Sequence, residues 1–223
     1  MKKLIKCVCI FALIFINVYM HLFSYNNTLM DILIILFTSL FCFISGKESY
    51  KDTFNTIKYI IIYIFWNMNY LVFVRHFSSL DGIINTLLLK TVFIDILAVL
   101  AISNILLIIC NRKKFINIIL SFIFLILFIF LKNNIFIYTS FFLIGNTLSI
   151  KDLIGIRTNI FKIIDYVNIG ILISHKLVLF LLIDSKVISS SISDFIGAIV
   201  LIYVIGIAIS YYIKVIPIVR DII

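Results

Sequence analysis

The chain has 223 residues, 64% of them hydrophobic and 13% charged, with a mean hydropathy of +1.25 and a formal net charge of +9. A soluble domain is about 45–50% apolar and about 25% charged, so this composition cannot supply the polar exterior of a water-soluble enzyme or binding module. In a soluble chain the excess cations would read as a nucleic-acid footprint, but here they flank long apolar runs and serve as orientation signals at a lipid surface, with no nucleic acid implied.

Crossing about 30 Å of hydrocarbon takes roughly 20 apolar residues in a helix. Eight segments approach that length: 7–23, 29–45, 58–74, 91–110, 115–131, 134–150, 166–183 and 195–213. They are continuous rather than alternating, which predicts helices and not barrel strands, because lipid leaves no unpaired backbone group unpunished. The first follows Lys2, Lys3 and Lys6 and has the outline of a secretory signal. It ends in Tyr19-Met20-His21-Leu22 with no small-residue cleavage site, so it reads as a retained span. The expected fold is an all-α polytopic transmembrane bundle of six to eight spans, eight in the fullest count, forming one integral membrane domain over 1–223.

Cytoplasmic loops carry the Lys/Arg excess of a membrane protein. With eight spans and the N-terminus in the cytoplasm, the inner segments hold Lys2, Lys3, Lys6, Lys47, Lys51, Lys58, Arg112, Lys113, Lys114, Lys151, Arg157, Lys162, Lys214 and Arg220. Only Arg75, Lys90, Lys132, Lys176 and Lys186 fall outside or within spans. This predicts a multi-pass protein of the cell membrane with both termini cytoplasmic. The four cysteines, Cys7, Cys9, Cys42 and Cys110, fall near cytoplasmic span ends, where a reducing compartment keeps thiols reduced. Cys7-x-Cys9 lacks a neighbouring histidine, and no metal or cofactor is expected.

Three stretches stand out from the hydropathy. His175-Lys176 sit near the middle of 166–183, where a charged side chain costs about 2.5–3.5 kcal/mol even on a gentle insertion scale. Together with Asp95 and Lys90 they form a candidate polar core or path, with Asp31 as a further countercharge. The bland alternative is a tilted or re-entrant segment whose lysine snorkels to an interface. The stretch 151–165, KDLIGIRTNIFKIID, places Leu153, Ile156, Ile160 and Ile163/Ile164 on one face and Lys151, Arg157 and Lys162 on the other. It reads as an interfacial helix on the anionic inner leaflet, or as a coupling helix that docks a soluble partner. The stretch 75–90 runs from Arg75-His76 to Lys90; it caps a membrane face, and Ser78, Ser79 and Asp81 suit a helix start. Asn17, Asn67, Asn69 and Asn104, with Gly197, Ala198, Gly206 and Ser210, are helix-packing devices.

Signatures of soluble chemistry are missing from the sequence: no HExxH, GxSxG, GxxxxGK[ST] or GxGxxG, and no intramembrane-protease GxGD. After the second apolar segment, Gly46-Lys-Glu48-Ser-Tyr-Lys-Asp52-Thr53 resembles the E-x-x-x-G-T loop of small permease subunits of ABC-2-type transporters, with Asp52 at the Gly position. The match spans eight residues. The resemblance implies a permease subunit that relies on a separate cytoplasmic ATPase, assembles with itself or a homologue, and moves an amphipathic or peptide-like substrate. Glu48, Asp52 and Thr53, with Arg157 and Lys162, are then its partner-coupling residues. Two other functions fit the same residues: a membrane-embedded enzyme or processing factor built on His175, Asp95 and Lys90, and a non-catalytic immunity or assembly protein.

Overall fold

In a computed structural model of the chain, the described residues are 2–23, 28–48, 60–61, 63–64, 95–110, 113–148, 159–185, 188 and 191–215. Every regular element among them is helical. The helices are α1 (Lys2–Phe23), α2 (Thr28–Glu48), α3 (Asp95–Ile109), α4 (Lys114–Leu131), α5 (Asn134–Thr147), α6 (Asn159–Asp184) and α7 (Ile192–Val215), with further helical residues at 60, 61, 63 and 64. Four stretches are long and apolar enough to cross a membrane: Leu4–Phe23, Thr28–Lys47, Lys114–Leu131 and Ile192–Tyr212.

Polarity in α4 is inverted relative to a helix in water. Its buried residues are Asn117 and Ser121. Its outer surface carries Phe115, Phe122, Ile129 and Phe130, the last 78% exposed. A helix with amides and hydroxyls inward and aromatics outward suits apolar surroundings, as a membrane-embedded protein has.

The helices belong to two compact units, one of residues 1–37 and 154–223 and one of residues 38–153. In the first, α6 and α7 pack together and α1 packs on both. The α6–α7 approach is close because small residues remove the intervening side chains. A Cβ on Gly170 would overlap the Ser210 hydroxyl, and one on Gly206 would come within 2.9 Å of the Ile171 Cα. Ser174 and Ser210 donate to the carbonyls of Gly170 and Gly206, four residues back, at 2.8 and 2.7 Å, so their hydroxyls cost little in lipid. Opposite, Phe11, Phe15, Tyr19 and Phe23 recur every fourth residue on α1. Phe195 of α7 meets three of them, edge-on to Phe15 with centroids 5.0 Å apart, and Tyr203 meets Phe11. Ser191 caps α7 by accepting from the Asp194 N–H at 3.1 Å.

The second unit is organised around α5. Its buried residues include Ile135, Tyr138, Thr139, Ser140, Phe142, Leu143, Gly145 and Thr147, which cover more than half of the circumference of the helix. Helices α3 and α4 pack against it. The α4–α5 turn is tight: Lys132 takes a left-handed conformation (φ 50°) and closes α4 by donating its N–H to the Phe128 carbonyl. Asn133 then caps α5 by accepting from the Ile135 N–H at 3.0 Å.

Two sequence expectations change here. The loop expected from Gly46 starts later, because α2 runs through Glu48 and puts Gly46, Lys47 and Glu48 in its last turn. The break expected between an interfacial helix ending at Asp165 and a span beginning at 166 is absent: α6 is continuous from Asn159 to Asp184. Asp165-Tyr166-Val167-Asn168 holds neither Pro nor Gly, so nothing there interrupts the backbone ladder.

Candidate functional site

His175 is the buried titratable side chain that the sequence singles out, and it lies in the first unit. The ring is 5% exposed, one position beyond Ser174 at the α6–α7 approach. Its Nδ1 is 2.7 Å from the Leu172 carbonyl, three residues back on the same helix. A carbonyl only accepts, so Nδ1 is the donor in this bond. The backbone of α6 therefore fixes the orientation of the ring.

The second unit holds an arrangement that sequence reasoning did not single out. Gly46 and Gly145 bring α2 and α5 into backbone contact: a Cβ on Gly46 would overlap the Phe142 carbonyl oxygen, and a Cβ on Gly145 would overlap that of Phe43. Beside this crossing, the Asn146 amide donates to the Gly46 carbonyl at 3.1 Å. The Asn117 amide in turn donates to Asn146 Oδ1 at 3.4 Å. One relay of amides thus ties the C-terminal ends of α2 and α5 to the N-terminal end of α4. A turn deeper, the Ser140 hydroxyl donates to the Ser121 carbonyl at 2.9 Å.

Several buried polar atoms of this unit are left over. Ser39 Oγ, Ser103 Oγ, Thr139 Oγ1 and Asn117 Oδ1 are shielded and have no hydrogen-bond partner among the described residues. Each such group costs about 1–3 kcal/mol, so four in one small unit is a substantial burden. They come from α2, α3, α5 and α4 respectively.

The remaining candidates are placed by backbone alone. Lys176 follows His175 on α6, Lys162 lies in the first turn of that helix, Asp95 opens α3 and Glu48 closes α2. His175 belongs to the first unit and Asp95 to the second. Lys90, Asp52, Thr53 and Arg157, and the whole of 75–90, lie outside the described residues.

The packing devices named from sequence divide. Asn17 and Asn104 donate to carbonyls of their own helices, at Leu13 and Leu100. Gly206 and Ser210 are close-packed, whereas Gly197 has nothing within 4 Å of a would-be Cβ. The interhelical amides are instead Asn117 and Asn146. The signal that could have found them is their place one turn inside the ends of apolar segments, facing a glycine near the end of another.

All four cysteines are thiols, and no group of three or more metal-binding side chains forms among the described residues. No family model matches the chain, and neither a curated protein nor a solved structure is significantly similar to it.

Proposed function

We propose that this chain is a permease subunit of the cell membrane that works with a separate cytoplasmic ATPase to move an amphipathic or peptide-like substrate. The observation that carries the reading is the amide relay of the second unit. By joining the Gly46 end of α2, the Asn117 end of α4 and the Asn146 end of α5, it gathers Lys47, Lys113 and Lys114 at one end of that unit. Lys132 lies at the opposite end of α4. A basic end of this kind is the asymmetry that sets membrane orientation, and it favours an N-inside chain, which we read with eight spans and both termini cytoplasmic. A basic inner face beginning at Glu48 suits the resemblance to a permease loop, with Asp52, Thr53, Arg157 and Lys162 as the contacts for a soluble ATPase. The candidate path residues are His175 and Lys176 in the first unit and, separately, Asp95 and Lys90 in the second, and the subunit works as a homo- or hetero-oligomer.

Affinity purification of the full chain in a mild detergent tests the partner. An ATPase recovered in stoichiometric amount is the expected result; a solitary species with no nucleotide-stimulated activity sinks the reading. Orientation is tested by Cys110, which an impermeant thiol reagent reaches only after the membrane is opened; labelling of intact cells inverts the map. A second reading, a membrane-embedded enzyme, draws on His175, a buried imidazole held by the Leu172 carbonyl. His175→Ala with normal expression and lost ATP-coupled uptake or export favours the path; loss of a modified product with transport intact favours the enzyme.

A further inference from the structure

We propose that the N-terminal ends of α1 and α6 and the C-terminal end of α7 form one basic surface that binds the headgroups of anionic phospholipids. The inference goes beyond the transport reading and needs only the packing of the first unit.

Two sets of contacts fix the helix directions. Phe11 of α1 meets Tyr203 of α7, whereas Phe15, Tyr19 and Phe23 all meet Phe195, so α1 and α7 run antiparallel. Ser210 of α7 donates to the Val167 carbonyl of α6 at 3.3 Å, while Gly206 lies against Ile171 and Ser174, so α6 and α7 also run antiparallel. The first turns of α1 and α6 and the last turn of α7 therefore share one end of the unit.

The lysines of the three helices reach a common level there. Counted at 1.5 Å per residue, Lys3 and Lys2 lie about 12–14 Å before Phe11, and Lys214 lies about 16 Å beyond Tyr203. Lys162 lies about 8 Å before Val167, and Lys214 about 6 Å beyond Ser210. The four positions thus fall within about 6 Å of one another along the helices, with Lys6 a turn deeper on α1. The acidic residues are distributed the other way. Helix α1 has none, α7 has Asp194 in its first turn, and of the two on α6 Asp184 closes the helix and Asp165 alone lies near the lysines. One end of the unit is basic and the other acidic.

The neighbouring aromatic residues favour lipid as the occupant. Tyr211 and Tyr212 precede Lys214 within one turn and are 56% and 76% exposed. An exposed phenol at the rim of an apolar bundle suits headgroup depth, where the ring meets acyl chain and the hydroxyl meets phosphate or water. Lysines at the same depth attract an anionic leaflet. An acidic protein would meet these lysines from beyond the helix ends and leave both rings unused.

The test counts retained lipid. The full chain in mild detergent is incubated with equimolar phosphatidylglycerol and phosphatidylcholine, passed through size exclusion, and its lipids are quantified by mass spectrometry. Phosphatidylglycerol should be retained at least about five-fold over phosphatidylcholine, the scale of a single lysine at an anionic surface. The preference should vanish on the order of 0.5 M sodium chloride, where screening is nearly complete within a few ångströms. Lys2→Gln, Lys3→Gln and Lys214→Gln combined should remove most of the preference, and Lys→Arg at the same three positions should keep it. Lys162 stays native because it also belongs to the ATPase contact. Equal retention of the two lipids overturns the proposal and leaves this end to an acidic protein. Displacement of phosphatidylglycerol by inorganic phosphate alone overturns the lipid surface in favour of a soluble anion. A preference that survives the glutamine variant but is lost in Lys113→Gln/Lys114→Gln also overturns it, by moving the surface to the second unit. Should the glutamine variant fail to fold, the salt and phosphate arms on the unmodified chain decide. Lipid retention is read without any ATPase, so its failure is separable from failure of the co-purification.

Discussion

Gly46 and Gly145 hold each other's helix at backbone distance: each sits against the carbonyl of the phenylalanine three residues before the other glycine, Phe142 and Phe43 respectively. The relationship is reciprocal, so F-x-x-G occurs once on each helix, and it places Cα–H groups against carbonyl oxygens as close small-residue crossings in membranes do.

Substituting either glycine by alanine places a methyl into backbone rather than into a flexible side chain. Gly46→Ala and Gly145→Ala are each expected to destabilise the detergent-solubilised protein by about 1–3 kcal/mol or more, read as a lower thermal midpoint and loss of the monodisperse peak. Gly197→Ala is the matched control, since nothing lies within 4 Å of its Cβ position. It should be neutral or stabilising by up to about 1 kcal/mol, from helix propensity alone.

The amide relay predicts coupling. Asn146→Ala removes both the donor to Gly46 and the acceptor for Asn117, and should cost about 1–3 kcal/mol. A double-mutant cycle with Asn117→Ala should return a positive interaction energy of about 0.6 kcal/mol, the usual scale for interhelical bonds in lipid. Strict additivity in thermal or denaturant unfolding would refute the Asn117–Asn146 bond.

At the α6–α7 approach the two glycines should differ in rescue. Gly170→Ala collides chiefly with the side chain of Ser210, the nearest backbone atom being the Gly206 carbonyl oxygen at 3.2 Å, whereas Gly206→Ala comes within 2.9 Å of the Ile171 Cα. Adding Ser210→Gly should therefore restore most of the folded yield of Gly170→Ala, while Ile171→Ala should not restore Gly206→Ala. Fluorescence-detected size exclusion of the four variants decides the point.

The α1–α7 aromatic cluster predicts a position-dependent cost for similar changes. Phe195→Leu loses ring contacts with Phe15, Tyr19 and Phe23, each worth about 0.5–1.5 kcal/mol beyond area. Phe130→Leu, at a ring 78% exposed on α4, exchanges one lipid-facing apolar group for another and should leave the thermal midpoint unchanged.

Much of the helical frame is legible in the sequence because lipid makes a single demand, a continuous apolar run of sufficient length. The segments 7–23, 115–131 and 195–213 correspond to α1, α4 and α7 within a few residues at each end. The interior is less legible, because hydropathy reports what a helix faces outward and not what it meets inward. Gly46 reads in sequence as the opening of a loop, although it is a contact of α2, and Asn117 and Asn146 are not singled out at all. Only the reciprocal placement of Gly46, Gly145 and Asn146 shows that these are one device. His175 stands out in sequence because a histidine within an apolar run is conspicuous; the Leu172 carbonyl that orients its ring has no sequence signal.

The continuity of α6 has a mechanical consequence. Its 26 residues, at 1.5 Å each, make a rod of about 39 Å, longer than the roughly 30 Å of a bilayer's hydrocarbon. No proline interrupts it between Asn159 and His175. A tilt or twist imposed on its first turns is therefore delivered to the imidazole as leverage, with the Gly170–Ser210 contact as the fulcrum.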